Sequence, residues 1–199
     1  ESWCLNSFTV LFPSRITENI INEGFFMILG REFYERDCLD VAPDLIGKRI
    51  VHILPDGTEL SAVISEAEAY RGTEDTACHA SKGRTPRTEL LFGEAGIIYV
   101  YLCYGMHWLM NVITGEKDQP QGVLLRAARD LNGPAKLTKH IMIDKEMNGK
   151  PIYGDPTLYI EDIGEKPAII RLPRVGINYA TPEYRDILWR YADKKYVKK

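Results

Sequence analysis

The side chains best suited to chemistry lie close together in residues 66–111, a stretch of fewer than fifty residues. It combines carboxylates, a histidine, a basic loop at residues 82–87 and tyrosines, namely Glu66, Glu68, Asp75, His79, Tyr70, Tyr99, Tyr101 and Tyr104. A carboxylate can accept a proton from water, aromatic rings can stack on a flat base, and cations can bind phosphate. Together these residue types could hold a nucleobase on a phosphate chain, although none of them is decisive alone.

The two glutamates fall on a predicted strand. Residues 59–69 alternate or run apolar, so successive side chains should point to opposite faces of a sheet. This alternation places Glu66 and Glu68 on one face together with Ile64. A solvated polar edge would give the same pattern, and it is the commoner explanation for any two glutamates. The alanines on both sides of Glu68 and the aromatic Tyr70 favour a packed strand end instead.

Three other features also have a purely structural interpretation. His79 by itself is more often a structural histidine than a catalytic one. The loop at residues 82–87 contains three cations, one glycine and one proline, and such a run is commonly just a solvated loop. Arg126 lies inside the apolar strand predicted at residues 121–128, where a buried arginine needs an anion. One of the two glutamates is the candidate, although a structural ion pair would leave the same signal.

The elements that must position these groups are mainly two hairpins. Residues 48–54 and 59–69 predict paired strands, because residues 55–58 have the composition of a hairpin turn. Residues 97–112 predict two more strands that meet near Tyr104 and Gly105. A loop of odd length places Tyr101 and Asn111 on one face, whereas a two-residue turn places them on opposite faces.

Helices are predicted around these strands. A short helix is expected within residues 32–45, ending at the turn of Pro43, and another over residues 135–143. Asp75 is suited to capping a short helical turn in residues 71–80, and Thr17 could cap a helix over residues 17–23. Further strands are expected near residues 158–161 and 168–172. Residues 1–26 show no sustained period and are expected to be an extension of unknown role, preceding one domain over residues 27–199.

Composition limits the classes of protein that fit. A chain of 199 residues with 45% hydrophobic content can bury one core. The net charge of −3 argues mildly against a nucleic-acid binder, so local clusters of cations must carry that interpretation. The widely spaced cysteines indicate neither a zinc site nor a disulfide framework. No apolar run is long enough to span a membrane, and a cytoplasmic protein is expected.

The order of the motifs resembles a known family. The segments EAEAYRGTEDTACH (66–79), GRTPR (83–87), YVYLCYGM (99–106), Asn111, VLLRA (123–127) and NGPAKL (132–137) are similar to the successive motifs of the alkyladenine (3-methyladenine) DNA glycosylases, of the methylpurine DNA glycosylase type. Residues 174–177 and 189–191 resemble the closing motifs, so the resemblance covers roughly residues 28–192. It implies an α+β fold, with one mixed and mainly antiparallel curved sheet, surrounding helices and a protruding hairpin.

The resemblance also implies an activity. A damaged purine, alkylated or deaminated, would be flipped from double-stranded DNA, and its glycosidic bond hydrolysed without strand cleavage, metal or cofactor. It implies that Glu68 is the general base that takes a proton from the attacking water. It also implies that Arg126 and a backbone carbonyl of residues 174–177 help to hold this water. The remaining assignments are Tyr70, His79, Tyr101 and Asn111 to the base pocket, Tyr104 to intercalation, and Arg84, Arg87 and Lys136 to the DNA backbone. A monomer is expected, associated with the nucleoid in a bacterium.

Because the implied pocket needs both Tyr101 and Asn111, the odd-length hairpin loop is the preferred prediction. The chain departs from the family pattern in two places, a short connection at residues 129–132 and Ala135 where a glycine is usual. Both concern the outer DNA-contacting surface. Two other functions remain as alternatives: a nucleic-acid-binding module without catalysis, and a hydrolase of free nucleosides.

Overall fold

The computed structural model describes residues 26–197, which form one nine-stranded sheet with short helices around it. The strands are β1 (Met27–Ile28), β2 (Arg49–Ile53), β3 (Glu59–Arg71), β4 (Ile98–Cys103), β5 (His107–Ile113), β6 (Gln121–Ala128), β7 (Leu158–Asp162), β8 (Ile169–Leu172) and β9 (Arg190–Asp193). The helices are α1 (Arg31–Tyr34), α2 (Cys38–Asp44), α3 (Pro134–His140) and α4 (Pro182–Asp186), with 3-10 turns at His79–Lys82, Glu89–Phe92 and Lys145–Met147. Cys4 and the helix predicted at residues 17–23 lie outside the described residues.

The long strand β3 is the centre of the sheet. Strand order is β1-β7-β2-β3-β6-β5-β4, and β9 adds a further partner to β3, with β8 beyond it. The first part of β3 pairs with β2, while Glu66, Ala67 and Glu68 have β6 on one side and β9 on the other. All these pairings are antiparallel, which confirms the predicted fold class. The glutamates therefore lie in the interior of the sheet, where both neighbouring strands fix the backbone.

The strict alternation predicted for β3 is wrong at one point. Register shifts against β6 occur between Ile64 and Glu66 and between Glu66 and Ala67. Ile64 consequently packs in the same hydrophobic cluster as Ala67 and Ala69, rather than on the face of Glu68. A bulge of this kind changes the direction of side chains on a strand, and bulges are common beside active sites. The two glutamates themselves still converge on a shared arginine.

Both predicted hairpins are present. β2 and β3 pair across the turn at residues 55–58, with Gly57 at a φ of 85°. β4 and β5 pair Tyr99 with Asn111 and Cys103 with His107, which leaves a three-residue loop. The odd-length loop is confirmed. Within this loop both Tyr104 and Gly105 have positive φ, at 51° and 70°, the left-handed conformation that such tight loops require.

The helix predictions need three corrections. The helix expected within residues 32–45 is two helices, because the side chain of Asp37 accepts the amide of Leu39 and starts α2 anew. Pro43 lies inside α2 rather than after it. The helix expected to reach residue 143 ends at His140. Asp75 does cap a turn, because its Oδ1 accepts the amide of Ala77 and its carbonyl oxygen accepts the amide of Cys78, just before the 3-10 turn that begins at His79.

The main hydrophobic core lies between the sheet and the helices. Its largest fully buried side chains include Tyr34 of α1, Leu45 after α2, Ile64, Met110 and Leu137 of α3. A smaller cluster around Cys78, Leu91 and Tyr99 packs on the opposite face of the β4–β5 hairpin. No helix within residues 26–197 is both long enough and apolar enough to cross a bilayer. The small cluster borders the cavity in which most of the predicted site residues meet.

Candidate active site

A cavity opens between the end of β3, the loop that follows it and the face of the β4–β5 hairpin. Its volume is about 50 Å³. Four predicted pocket residues line it, together with six others: Tyr70, His79, Tyr101 and Asn111, and Ala77, Cys78, Leu91, Tyr99, Gly122 and Tyr179. At Gly122 a Cβ would come 3.0 Å from the carbonyl oxygen of Val112, so the glycine allows the backbones of β5 and β6 to approach closely at this wall. Residues far apart in sequence thus form one aromatic enclosure.

The rings on one wall touch each other. The His79 ring lies edge-on to Tyr101, with centroids 4.7 Å apart, and its Nδ1 is 3.0 Å from the hydroxyl of Tyr99. The guanidinium of Arg87 lies 5.9 Å from the centroid of the Tyr101 ring. Burial, and secondly the charge of Arg87, lower the pKa of His79, so its imidazole is neutral at pH 7. The wall is a packed aromatic surface with one cation, Arg87, near the Tyr101 ring.

Asn111 lies at the back of the same cavity. Its side chain is buried and its Nδ2 donates a hydrogen bond of 3.3 Å to the carbonyl oxygen of Tyr99, its partner across the hairpin. This bond gives Asn111 a structural role within the hairpin. Since Asn111 also lines the cavity, its amide is available to a bound molecule as well.

Glu68 lies next to the cavity and has no exposed surface. Its Oε2 accepts a 2.8 Å hydrogen bond from the Tyr70 hydroxyl, and its Oε1 accepts one of 2.9 Å from the Val175 amide. The Nε of Arg126 lies 3.1 Å from Oε1. A carboxylate offers about four lone-pair sites, so these contacts leave capacity for one more donor. The carboxylate is therefore held in place without being saturated.

Glu66 extends this cluster on its other side. Its Oε1 lies 3.6 Å from Arg126 Nε and accepts a 2.5 Å hydrogen bond from Arg190. Arg126 thus has both glutamates as partners, where the sequence left the choice between them open. The Nε of Arg126 is buried and, among the described residues, has no acceptor at hydrogen-bonding geometry. Unsatisfied buried donors are uncommon in native structures, so this atom calls for an explanation.

The protonation of Glu68 reflects two opposing influences. Burial raises the pKa of the Glu68 carboxyl, and Arg126, the Val175 amide, the Tyr70 hydroxyl and Arg190 partly offset that rise. The net direction is upward. A carboxylate with a raised pKa is a stronger base than an exposed one, which suits proton abstraction from water.

The tip of the β4–β5 hairpin is exposed, unlike the part of the hairpin that lines the cavity. Tyr104 is 86% exposed and Met106 is 69% exposed, with Leu102 also exposed beside them. Tyr104 therefore does not pack in the core. Leu102 lies in β4, and Tyr104 and Met106 lie in the loop, so the tip of the hairpin presents three exposed apolar side chains.

The predicted phosphate-binding cations differ in their surroundings. Arg84 bonds to Glu89 and to Asp118, and its guanidinium lies 4.5 Å from the centroid of the Phe92 ring. Arg87 is exposed and borders a second cavity that shares His79 and Tyr179 with the first one. Lys136 is exposed on α3, on a different element. Arg84 is thus already neutralised by carboxylates.

Sequence reasoning missed two features of the site. Tyr179 is exposed at the mouth of the cavity, and its hydroxyl donates a 3.0 Å bond to the carbonyl of Ala77. Arg174 is buried and makes an ion pair with Asp75. Neither has a periodic or spacing signal, because each meets its partner about a hundred residues away along the chain. The one available signal in the sequence was the set of apolar residues next to Arg174, which could have indicated that this arginine is buried and paired.

The structure thus places a buried carboxylate beside an aromatic cavity, and an exposed apolar hairpin tip on the same sheet. Comparison with known proteins identifies the family. The family model described as methylpurine-DNA glycosylase matches residues 32–196. The chain belongs to the methylpurine-DNA glycosylase family, which confirms the resemblance seen in the sequence. Its class of activity is that of a DNA glycosylase, a hydrolase of N-glycosyl bonds.

Curated relatives support the same assignment. A protein of Desulfitobacterium hafniense is 41% identical over 85% of this chain and 97% of its own length. One from Clostridium botulinum is 44% identical over 87% of this chain and its full length, and one from Legionella pneumophila is 41% identical over 86% and 98%. Each of the three carries the name "putative 3-methyladenine DNA glycosylase".

Proposed function

We propose that the protein flips a damaged purine, alkylated or deaminated, out of duplex DNA and hydrolyses its N-glycosidic bond, leaving an abasic site. The observation that carries the proposal is the position of Glu68, which is buried, hydrogen-bonded by Tyr70 and adjacent to the aromatic cavity. The names of the relatives add 3-methyladenine as the first base to test. A base stacked in a duplex is inaccessible at its glycosidic carbon, so extrusion must precede the chemistry.

The cavity supplies the binding energy for the extruded base. Stacking on aromatic side chains contributes about 1–3 kcal/mol per base, comparable to the cost of unstacking it. Tyr70, Tyr101 and His79 provide those rings, and the neutral imidazole of His79 adds no positive charge to repel an alkylated, electron-poor purine. A damaged base pairs more weakly, so selection acts both in the duplex and in the cavity.

In the chemical step, the oxygen of a water molecule bonds to C1′ of the sugar, on the face opposite the base. The bond between C1′ and the base nitrogen breaks, and its electron pair leaves with the base. Glu68 accepts the proton of the water, in the manner of a glycosidase with an oxocarbenium-like transition state. Arg126, whose buried Nε has no aligned acceptor within the described residues, orients the water, together with a backbone carbonyl of residues 174–177.

The hairpin tip and the basic surface hold the DNA. Tyr104 enters the minor groove and fills the gap left by the extruded nucleotide, as apolar wedges do in other minor-groove proteins. Its exposure and the projecting three-residue loop support this role. Arg87 and Lys136 contact phosphates. Arg84 is assigned to the same surface, although its two carboxylate partners reduce the charge it can offer.

The test is incubation with duplex oligonucleotides that carry a single lesion, followed by assays for the released base and for the abasic site. Release of 3-methyladenine from duplex DNA, with salt-dependent binding, is the expected result. Lesion binding without base release would favour a binding module, and salt-independent activity on a free nucleoside would favour a nucleoside hydrolase. Either result would overturn the proposal.

A further inference from the structure

A buried ion pair lies behind the cavity and outside its lining. Arg174 and Asp75 have no exposed side-chain surface, and Arg174 meets both carboxylate oxygens of Asp75, at 2.6 and 2.8 Å. Arg174 also donates to the carbonyl oxygens of Ala69, at 3.0 Å, and of Tyr184, at 2.9 Å. The pair therefore joins the end of β3, the loop after β3 and α4.

Arg174 and Asp75 are each linked to the candidate site. Arg174 is linked to the two groups that donate to Glu68, and Asp75 is linked to the cavity lining. The guanidinium of Arg174 lies 4.6 Å from the centroid of the Tyr70 ring, whose hydroxyl donates to Glu68. The residue after Arg174 is Val175, whose amide donates to the other oxygen of Glu68. Asp75 Oδ1 accepts the amide of Ala77, at 3.0 Å, and Ala77 lines the cavity.

We propose that Arg174 is a positioning residue, which aims the Tyr70 hydroxyl and the Val175 amide at Glu68 while its pair with Asp75 fixes the cavity wall. The inference rests on the proposed function, because it assigns Glu68 as the general base. Arg174 does not line the cavity, and its guanidinium donates to Asp75 and to the carbonyl oxygens of Ala69 and Tyr184. Its effect on the reaction passes through the two donors.

The chemistry of arginine explains why this position needs it. A guanidinium is planar, so it can bond to a carboxylate through two nitrogens while its flat face lies on an aromatic ring. Arg174 does both, with Trp189 as a second ring at 5.2 Å. A lysine keeps the charge but provides neither the fork nor the flat face. Breaking only this geometry should let the Tyr70 ring and the 174–177 turn shift.

A shift of the two donors changes both the orientation and the acidity of Glu68. Hydrogen bonds to a carboxylate favour its charged form, so weakening them raises its pKa, and the acid limb of the rate profile moves to higher pH. The charged and titratable groups around Glu68 come from every neighbouring element: Glu66 and Tyr70 on β3, Tyr101 on β4, Arg126 on β6, Arg190 on β9, Arg174 and Tyr179 before α4, and Asp75 in the loop. Arg174→Lys leaves their total charge unchanged.

The experiment measures single-turnover base release from a lesion duplex as a function of pH, together with duplex affinity and the melting temperature. Arg174→Lys should lower the plateau rate by about tenfold to a hundredfold, the usual effect of a small misplacement of catalytic groups. Its acid limb should move to higher pH, and the loss in rate should exceed the loss in affinity. The matched control is Arg49→Lys, which removes the arginine geometry from the Arg49–Glu161 pair on β2 and β7, away from the site.

A lower melting temperature for Arg174→Lys with the rate and acid limb of the wild type would overturn the inference, because the pair would then be structural only. Asp75→Asn is the second variant, and it leaves Arg174 its bonds to Ala69 and Tyr184. Losing the negative charge of Asp75 by itself lowers the pKa of Glu68, so an upward shift of the acid limb in this variant indicates geometry. If Arg174→Lys does not fold, the Asp75→Asn variant decides. An acid limb of its rate profile at the same pH as in the wild type, or at lower pH, would then overturn the inference. Absence of base release by the wild type would instead refute the proposed function.

Discussion

The carboxylate cluster around Glu68 and the tip of the β4–β5 hairpin belong to one sheet but are built in opposite ways. Glu68 is enclosed and held by two hydrogen bonds and an arginine, whereas Tyr104 at the tip is 86% exposed. Buried charges are costly unless each is paired, so the cluster needs partners from several strands. The tip needs only a tight turn that projects an apolar side chain.

The difference separates the two tasks of the proposed reaction. Proton transfer requires a carboxylate fixed within a fraction of an ångström, which a packed strand with neighbours on both sides provides. Entry into a duplex requires an exposed wedge, which a packed environment would prevent. Substitutions in the cluster should therefore affect the chemical step, and substitutions at the tip should affect flipping. Four predictions test this division, in order of decreasing effect.

Glu68→Gln should have the largest effect, because the amide keeps the shape of the side chain but cannot take a proton from water. We expect base release to fall by about 10²- to 10⁴-fold, the range for a lost general base. Binding to lesion DNA should change little. Single-turnover kinetics and a separate binding titration measure the two quantities.

Glu66→Gln is the matched control for that variant, since Glu66 contacts the same Arg126 at the longer distance of 3.6 Å. It should lose much less activity. If Glu66→Gln is inactive and Glu68→Gln is active, the general base is Glu66 and not Glu68.

Tyr104→Ala should lose flipping and duplex affinity by about tenfold or more, given the 1–3 kcal/mol that stacking of an aromatic ring contributes. It should retain discrimination among bases, and its exposure predicts little change in stability. Stopped-flow fluorescence with a reporter next to the lesion measures the flipping rate.

Tyr101→Ala provides the comparison, because Tyr101 lies in the cavity wall of the same hairpin, against His79. This variant should lose discrimination and the chemical step instead. Normal flipping kinetics in Tyr104→Ala would rule out a wedge role for Tyr104. They would also remove the proposed division of tasks between the hairpin tip and the buried site.

Asn111→Ser should change specificity more than rate. We expect the Asn111 amide, at the back of the cavity, to exclude purines with an extra exocyclic amino group, and a shorter side chain should admit guanine-type bases. Relative rates on a series of single-lesion duplexes give the answer. Since Asn111 also bonds to the Tyr99 carbonyl, a variant with lower stability and an unchanged substrate order would leave only the structural role.

The smallest effects are expected for the cations. Arg87→Ala and Lys136→Ala should each lower the salt slope of DNA binding by about one counterion, and the loss should be uniform across sequences. Arg84→Ala should lower it less, because Glu89 and Asp118 already balance that charge. Titrations at several salt concentrations measure the slopes. Equal slopes for the wild type and an Arg87→Ala, Lys136→Ala double variant would remove the DNA-facing assignment of this surface.

Local patterns in the sequence determined most of the strands and their turns. The turn composition at residues 55–58 predicted the β2–β3 hairpin, and the motif order identified the family. Burial of Glu68 followed from its small neighbours, Ala67 and Ala69. These features depend on residues near one another in the chain, where the side-chain period of a strand and the geometry of a turn leave few choices.

The tertiary structure alone decided the features that depend on distant partners. The bulge that places Ile64 in the core arises from the register of β3 against β6, and alternation along a single strand gives no sign of it. The pairing of Asp75 with Arg174 depends on two loops packing together, and that of Arg84 with Asp118 brings together residues 34 positions apart. The sequence does not specify the partner of a charged residue, because burial and the packing of other elements determine that partner only in the folded chain.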